Sequence, residues 1–228
     1  MQTNPKTILI TGTSKGIGYA LAKFFAKNGH QVLALSRNNP IEFSEAENIK
    51  ALNIDISEAE SLDKLPLILD DFKPIDAIIH NAGAFLNKPF AETTLADFQN
   101  IYATNVFAVA KLTQICLPYM QKSSHCVAIS SMGGIQGSMK FAGLSAYSSS
   151  KGALITLMEL LAEEYKTTGI AFNTLALGAV QTEMLAKAFP DYQAPLTADE
   201  MANYIYDFAL NGHKYYNGKV LQVSSTTP

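Results

Sequence analysis

A tyrosine and a lysine four residues apart, Tyr147 and Lys151, lie in a stretch with a helical pattern, so their side chains share one helix face. Such a pair suits proton transfer to or from a carbonyl or alcohol oxygen. An ammonium about 4 Å from a phenol stabilises the phenolate by roughly 4 kcal/mol at an effective dielectric of 20. That is enough to bring a tyrosine pKa, ordinarily near about 10, close to neutral pH. We therefore expect Lys151 to lower the pKa of Tyr147.

A glycine-rich turn lies between the first apolar run and the first helical pattern, at residues 11–18. Glycines allow the backbone to approach a ligand closely, and the start of the helix offers free N–H groups to a pyrophosphate. The spacing is Gly-x-x-x-Gly-x-Gly, which differs from the commoner dinucleotide fingerprint and lacks the ending of a P-loop. A tight turn that binds nothing is the alternative. The residues expected to contact a nucleotide here are Gly12, Ser14, Lys15, Gly16, Ile17 and Gly18.

The end of the second apolar run indicates which nucleotide is bound. An NAD site usually has an acidic residue there, whereas this chain has Ser36 followed by Arg37, and Lys15 can approach from the glycine turn. Two cations without a carboxylate favour a 2′-phosphate, so we expect NADP(H) in preference to NAD(H). The alternative is that Arg37 is a solvated loop residue. Asp55, after the third apolar run, is either an acceptor for the adenine amino group or a turn residue.

Composition and charge exclude several classes of protein. Of 228 residues, 48% are hydrophobic and 16% are charged, which is typical of a large buried core. A net charge of -3 disfavours a nucleic-acid partner, because such proteins usually present a basic surface. There is no apolar run of about 18 residues to span a membrane. Cys116 and Cys126 lie in apolar surroundings, so we expect buried free thiols in a reducing compartment, the cytoplasm.

Short apolar runs alternate with helical patterns along the whole chain. Continuous apolar strands suit a parallel sheet that is covered on both faces, so the alternation predicts a doubly wound α/β fold. Gly29 is expected to end the first helix, and Ser57 with Glu60 to form a capping box for the second. The predicted strands are residues 7–10, 31–35, 50–54, 76–79, 126–130, 170–176 and 220–223. The predicted helices are residues 16–28, 57–70, 95–120, 146–165 and 199–210.

In this order the motifs resemble the short-chain dehydrogenase/reductase family, in its single-domain branch. They are the glycine turn, Asn81-Ala82-Gly83, Asn105, Ser131, and Tyr147-x-x-x-Lys151, and together they extend over nearly the whole chain. The resemblance implies one Rossmann-type domain over residues 1–228. It also implies a seven-stranded parallel sheet of order 3-2-1-4-5-6-7 flanked by helices.

The resemblance also implies roles for individual residues. Tyr147 would be the general acid/base, and Lys151 would bind the nicotinamide ribose and lower the tyrosine pKa. Ser131 would hydrogen-bond the substrate oxygen, and Asn105 would hold a water that links Lys151 to solvent. The remaining residues implied to bind the cofactor are Ser36, Arg37, Asp55, Ile56, Asn81, Ala82, Gly83, Gly178, Val180 and Thr182.

Two features depart from the family pattern. Ser131 lies 16 residues before Tyr147, a few more than usual, and we place the extra residues in the loop 139–144. Ser130 is therefore a rival for the serine role, although the spacing to Gly134 favours Ser131. Leu177-Gly178 stands where Pro-Gly is usual. Leucine does not fix φ, so that loop is expected to be less constrained.

The function predicted is an NADP(H)-dependent oxidoreductase that interconverts a small carbonyl compound and its alcohol. The alternative is a catalytically weak regulatory or interaction protein that binds NAD(P) on the same fold. The apolar helix 95–120 favours a homodimer or homotetramer. His80 is expected to be a structural histidine, Lys140 and Lys187 solvated loop charges, and no residue spacing indicates a metal site. Apolar loop residues indicate a substrate that is not highly charged; they are Phe85, Leu86, Phe90, Met139, Phe141, Leu144, Val180, Met184 and Leu185.

Overall fold

Seven parallel strands form the central sheet in a computed structural model that describes residues 4–43 and 46–224. Along the sheet the order is β3-β2-β1-β4-β5-β6-β9, and every neighbouring pair is parallel. Counting only these seven strands gives 3-2-1-4-5-6-7, so the predicted topology is confirmed. The strands are β1 Thr7–Thr11, β2 Gln31–Ser36, β3 Ile49–Asn53, β4 Ile75–His80, β5 Met120–Ser131, β6 Ala171–Leu177 and β9 Val220–Val223.

Helices cover both faces of the sheet, and a small two-stranded sheet that was not predicted lies in the segment after β6. The second sheet pairs β7 Val180–Gln181 with β8 Leu196–Thr197 in parallel. The helices are α1 Gly16–Lys27, α2 Ala59–Leu62, α3 Leu65–Leu69, α4 Leu95–Tyr102, α5 Ala108–Cys116, α6 Ser145–Glu164, α7 Glu183–Ala188 and α8 Ala198–Asn211.

Alternation along β1 shows why the sheet is buried on both faces. Ile8 and Ile10 belong to a core cluster with Phe25 of α1, whereas Leu9 belongs to the cluster on the opposite face with Leu112 of α5. All five side chains have 0% exposure. Successive strand residues point to opposite faces, so a continuous apolar run fills both layers. Each such burial contributes roughly 1.5 to 3 kcal/mol.

The prediction of one long helix over residues 95–120 is wrong. The helix is interrupted, and it ends before residue 120. α4 gives way to a π-helical turn at Ala103–Phe107, and α5 follows it. A 3₁₀ turn that includes Pro118 then leads into β5, which begins at Met120 rather than at residue 126. Proline lacks the backbone N–H that an α-helix needs, which accounts for the earlier end.

The prediction of one helix over residues 57–70 is also wrong. This segment forms the two short helices α2 and α3, with Pro66 at the start of the second. Ser57 does not cap a helix, because its N–H and hydroxyl both donate to Asp55 Oδ1 at 3.0 and 2.6 Å. Gly29 does end α1, with φ +80°. The ends of the other predicted elements lie within one residue of those observed.

Candidate active site

A cavity of about 940 Å³ opens at the carboxyl ends of the central strands. Parallel strands present their carboxyl ends at one edge of the sheet, which is where ligands bind in doubly wound folds. Almost all of the predicted site residues line this cavity. They are Gly12, Ser14, Lys15, Gly16, Ile17, Ser36, Arg37, Asp55, Ile56, Asn81, Ala82, Gly83, Ser131, Tyr147, Lys151, Gly178, Val180 and Thr182. Gly18 and Asn105 do not line the cavity and lie behind its lining residues.

The glycine turn is packed too closely for side chains. A Cβ on Gly12 would lie 2.8 Å from the Cα of Ala82, and a Cβ on Gly18 would collide with the carbonyl of Gly12 and the amide of Asn81. Asn81 Nδ2 donates to Thr11 O at 3.0 Å and to Gly12 O at 3.2 Å. The turn that follows β1 is therefore locked to the turn that follows β4.

The groups at the nucleotide end of the cavity fit a phosphorylated ligand. The N-terminus of α1 has no side-chain cap, so its backbone N–H groups face the cavity unpaired by a side chain. Ser36 Oγ is buried and has no hydrogen-bond partner among the described residues, and it lines the same cavity as the exposed Arg37. A buried hydroxyl that lacks a described partner, together with an exposed guanidinium in the same cavity, fits a ribose phosphate.

Asn39, which the sequence analysis did not single out, fixes the loop that carries Arg37. Its Oδ1 accepts a 2.6 Å hydrogen bond from the fully buried Thr13 of the glycine turn. Its Nδ2 donates to Ala34 O at 3.1 Å and to Leu52 O at 2.9 Å. One amide therefore joins the glycine turn to the ends of β2 and β3. Only its position two residues after Arg37 could have drawn attention to it.

The pKa of Tyr147 shifts in the direction opposite to the prediction. Burial of the phenol raises its pKa, because the phenolate loses hydration, while hydrogen bonding to Ser131 acts in the lowering direction. Phe85 packs edge-to-face against the tyrosine ring at 5.0 Å between centroids. The phenol is therefore held protonated at neutral pH, and Ser131 is the polar side chain that favours its ionisation.

The position of Lys151 explains why it does not lower the pKa of Tyr147. Its Nζ lies 5.9 Å from the centroid of the Tyr147 ring, and it donates a 2.8 Å hydrogen bond to the carbonyl of Ile129. The side chain is only 4% exposed, and burial lowers its pKa to about 8. The ammonium is thus directed to the end of β5 rather than solely to the phenol.

The two candidate serines make different contacts. Ser130 Oγ is buried and donates to the backbone carbonyl of Lys151 at 3.0 Å, which pins β5 to α6. Ser131 Oγ accepts from Gly133 N at 3.2 Å, lines the cavity, and also hydrogen-bonds Tyr147. The geometry favours Ser131 for contact with a substrate oxygen.

Asn105 lies in the π-helical turn and is fully buried. Its Oδ1 accepts from Ala84 N at 2.7 Å, and its Nδ2 donates to Ala84 O at 3.0 Å and to Ser150 Oγ at 2.9 Å. A Cβ on Gly83 would lie 3.4 Å from Lys151 Nζ and 3.6 Å from Asn105 Oδ1, so the two side chains flank this glycine. The water-holding role of Asn105 stays a prediction.

The loop between β5 and α6 forms one wall of the cavity. Lys140 is exposed, as expected of a loop charge, and its Nζ also donates to Gly133 O, Ile135 O and Ser138 Oγ at 2.6 to 2.8 Å. Leu86 and the 72% exposed Phe90 do not line the cavity. Lining residues that the sequence analysis missed include Met132, Ser138, Ser148, Glu183, Phe189 and Tyr192.

The remaining predictions concern structural groups. His80 is buried, contacts Thr113 Oγ1 at 3.0 Å, and has a pKa lowered to about 3 by burial, as expected of a structural histidine. Cys116 and Cys126 are buried free thiols. Gly178 is required because a Cβ there would collide with Ser224 Oγ. Residues 4–43 and 46–224 contain no group of three potential metal ligands and no helix long and apolar enough to cross a membrane.

Comparison with known proteins gives consistent matches. The sequence model of a family described as short chain dehydrogenase matches residues 6–193. The ketoacyl reductase HetN of Nostoc sp. is 34% identical over 191 residues, which cover 78% of this chain and 65% of HetN. The 3-oxoacyl-[acyl-carrier-protein] reductase FabG of Escherichia coli is 28% identical over 98% of both chains. A short chain dehydrogenase from Burkholderia cenocepacia in complex with NADP superposes with a TM-score of 0.84 at 25% identity, covering 96% of each chain.

Proposed function

The chain belongs to the short-chain dehydrogenase family, and we propose that it interconverts a small carbonyl compound and its alcohol by hydride transfer with NADP(H). The observation that carries this proposal is the convergence of Ser131, Tyr147 and Lys151 beside the glycine turn in one cavity. A binding module has no need of a partly buried proton donor next to a buried ammonium. We propose further that residues 1–228 act as a single unit.

In the reductive direction a bound nicotinamide would supply a hydride to the carbonyl carbon. Tyr147 donates its phenolic proton to the carbonyl oxygen, and its raised pKa keeps that proton in place at neutral pH. The hydroxyl of Ser131 donates to the same oxygen and orients it. Lys151, held by the carbonyl of Ile129, supplies positive charge to the phenolate that remains and would hydrogen-bond the nicotinamide ribose.

Preference for NADP(H) over NAD(H) is supported by the residues at the end of β2. Arg37 and Lys15 are the two cations at the nucleotide end of the cavity, and the unpaired hydroxyl of Ser36 lies with them. A 2′-phosphate would take charge-assisted hydrogen bonds from this set. The other nucleotide contacts would come from the glycine turn and from Asn81, Ala82, Gly83, Ile56, Asp55, Gly178, Val180 and Thr182.

Replacing Tyr147 with Phe tests the proposal. The phenyl ring keeps the packing against Phe85, so NADPH affinity, measured by fluorescence titration, should change by less than about threefold. Carbonyl reduction, followed by loss of nicotinamide absorbance, should fall by about 10² to 10⁴-fold. Unchanged turnover would remove Tyr147 from the mechanism. A parent protein that binds cofactor but reduces no compound in a broad carbonyl panel would favour the regulatory alternative.

We also propose that the chain forms a homodimer or homotetramer through the outer surface of α4, α5 and α6. Phe107 and Leu160 are 61% and 63% exposed on this surface, and Leu95 is 74% exposed. Large apolar side chains left in water favour association with a second copy. Light scattering of the parent and of Phe107→Glu would detect it. The buried free thiols of Cys116 and Cys126 support a location in the reducing cytoplasm.

A further inference from the structure

The cavity has two chemically different ends. Four of its charged side chains lie at the nucleotide end: Lys15 in the glycine turn, Arg37 after β2, Asp55 after β3, and Glu183, whose Oε2 would lie 3.5 Å from a Cβ on Gly16. The end beyond Tyr147, which we call the substrate end, is lined by Phe85, Met139, Phe141 and Phe189. No charged side chain of residues 4–43 and 46–224 lines this end apart from the buried Lys151.

The aromatic walls of the substrate end come from three separate segments. Phe85 follows β4, Phe141 lies in the loop between β5 and α6, and Phe189 follows α7. Phe141 and Phe189 meet edge-to-face at 6.2 Å between ring centroids, and Phe85 meets the catalytic phenol at 5.0 Å. A planar ring bound among these side chains can make the same edge-to-face and offset contacts.

Met139 adds an exposed apolar surface at the mouth of this end. It is 56% exposed although it lines the cavity. A large apolar side chain left in water at a cavity mouth favours an apolar ligand that covers it, and thioether sulfur contacts aromatic rings favourably. The exposure of Met139 therefore points to an apolar or aromatic group on the substrate.

Two lysines near the substrate end are already engaged. Lys140 donates to Gly133 O, Ile135 O and Ser138 Oγ within its own loop. Lys88 forms an ion pair with Asp97 at 2.9 Å. A substrate carboxylate or phosphate placed here would lose hydration without gaining a free cation from the described residues that line this end, which is unfavourable.

We infer that the substrate end selects an uncharged carbonyl compound that carries an aromatic ring next to the carbonyl group. This inference rests on the proposed function, because it takes Tyr147 as the proton donor to the carbonyl oxygen. In the reaction the carbonyl carbon gains the hydride of NADPH and the oxygen gains the proton of Tyr147. The product is a neutral benzylic alcohol, and the cofactor is oxidised to NADP⁺.

Binding of compounds that cannot be reduced tests the inference without relying on turnover. Calorimetry on the NADPH-loaded protein would compare benzamide, cyclohexanecarboxamide and 4-carbamoylbenzoate. We expect benzamide to bind about two- to twelvefold more tightly than the cyclohexyl compound. The carboxylate should bind at least about tenfold more weakly than benzamide. Equal or tighter binding of either comparison compound, or no binding by all three, would overturn the inference.

Variants connect the selectivity to the named side chains. Leucine at both Phe141 and Phe189 should remove most of the preference for the aromatic ring, whereas Phe90→Leu, an exposed position outside the cavity, should keep it. Met139→Lys should improve binding of 4-carbamoylbenzoate by up to about fivefold, and Met139→Gln should not. If the leucine double variant kept the preference for the aromatic ring, Phe141 and Phe189 would not be its cause.

A parallel turnover assay separates this inference from the proposed function. Acetophenone and methyl 4-acetylbenzoate would be compared with cyclohexyl methyl ketone and 4-acetylbenzoate. Reduction of none of them, together with the expected pattern of amide binding, would reject the redox function and leave the ligand class supported. Reduction with a preference for the cyclohexyl or charged ketone would support the redox function and reject the ligand class.

Discussion

The amide of Asn105 donates a 2.9 Å hydrogen bond to the hydroxyl of Ser150, and that hydroxyl donates in turn to the backbone carbonyl of Tyr147 at 2.7 Å. Ser150 lies directly before Lys151 and is fully buried. The π-helical turn that carries Asn105 is thereby tied to the helical turn that spaces the tyrosine from the lysine. We expect this link to set the direction in which both side chains enter the cavity.

Ser150→Ala should therefore lower both stability and activity. Asn105 Nδ2 would keep its hydrogen bond to Ala84 O but lose the one to Ser150 Oγ, at a cost of about 1 to 3 kcal/mol in the free energy of unfolding. We expect kcat to fall by about tenfold through displacement of Tyr147. Ser149→Ala is the matched control, since that exposed serine also bonds a backbone carbonyl in the same helix but contacts no site residue. Equal effects of the two changes in urea unfolding and in kcat would contradict the link.

Replacing Ser131 should affect mainly activity, whereas replacing Ser130 should affect mainly stability. Ser131→Ala removes a donor to the substrate oxygen and should lower kcat/KM by about 10² to 10³-fold. Ser130→Ala removes the donor to the carbonyl of Lys151 and should cost about 1 to 3 kcal/mol of stability, with kcat within about threefold of the parent. Steady-state kinetics and thermal melts of both variants provide the measurement. The opposite assignment would restore Ser130 as the substrate-binding serine.

Burial of the Lys151 ammonium should destabilise the parent at neutral pH. The pKa of Lys151 is lowered to about 8 from 10.5, so the unfolded chain binds more protons between these values and the stability of the parent rises with pH there. Lys151→Met should be more stable by about 2 kcal/mol at roughly pH 7, after allowing for the lost hydrogen bond to Ile129.

The advantage of Lys151→Met should shrink as the pH is raised above about 8, because the parent lysine loses its charge. Urea unfolding at roughly pH 7, 8.5 and 9.5 measures this trend. Lys111→Met, at an exposed position of α5, should differ from the parent by less than about 0.5 kcal/mol at each pH. A constant difference between Lys151→Met and the parent would show that charge burial is not the cause.

Arg37→Ala should weaken NADPH much more than NADH. Loss of a charge-assisted contact to the 2′-phosphate corresponds to about 10- to 100-fold in Kd, whereas NADH, which lacks this phosphate, should change by less than about threefold. Lys23→Ala, on the exposed part of α1 away from the cavity, is the control. Fluorescence titration gives both constants, and an equal loss for the two cofactors would reject the assignment of Arg37.

Gly18→Ala should abolish cofactor binding, because its Cβ would collide with the Gly12 carbonyl and the Asn81 amide and would displace the turn. Gly29→Ala tests the backbone alone: nothing lies within 4 Å of a Cβ there, but φ is +80°. We expect Gly29→Ala to cost about 1 to 2 kcal/mol of stability and to leave NADPH affinity unchanged. Retained affinity in Gly18→Ala would show that the glycine turn is not the pyrophosphate site.

Local patterns predicted the α/β class of the fold, and the family resemblance supplied the strand order and most of the site residues. Continuous apolar runs such as Ile8 to Ile10 predict buried parallel strands, because side chains alternate between two covered faces. The four-residue spacing of Tyr147 and Lys151 and the glycine spacing of residues 12–18 predict where chemistry and phosphate binding occur. The predicted strands and the glycine turn are observed because helix and strand periodicity and glycine's backbone freedom act within a few residues of the chain. The roles in chemistry and phosphate binding stay predictions.

Contacts between residues far apart in the sequence determine the features of the site that the sequence did not predict. Only the folded chain shows that Ser130 faces the carbonyl of Lys151, that Asn39 joins three segments, and that Phe141 meets Phe189. The sign of the Tyr147 pKa shift also depends on tertiary structure. The sequence predicts a lysine neighbour that would lower the pKa, whereas packing removes water from the phenol and directs the ammonium towards Ile129. Hydration and hydrogen-bond direction depend on all the surrounding elements, and residue spacing on one helix does not determine them.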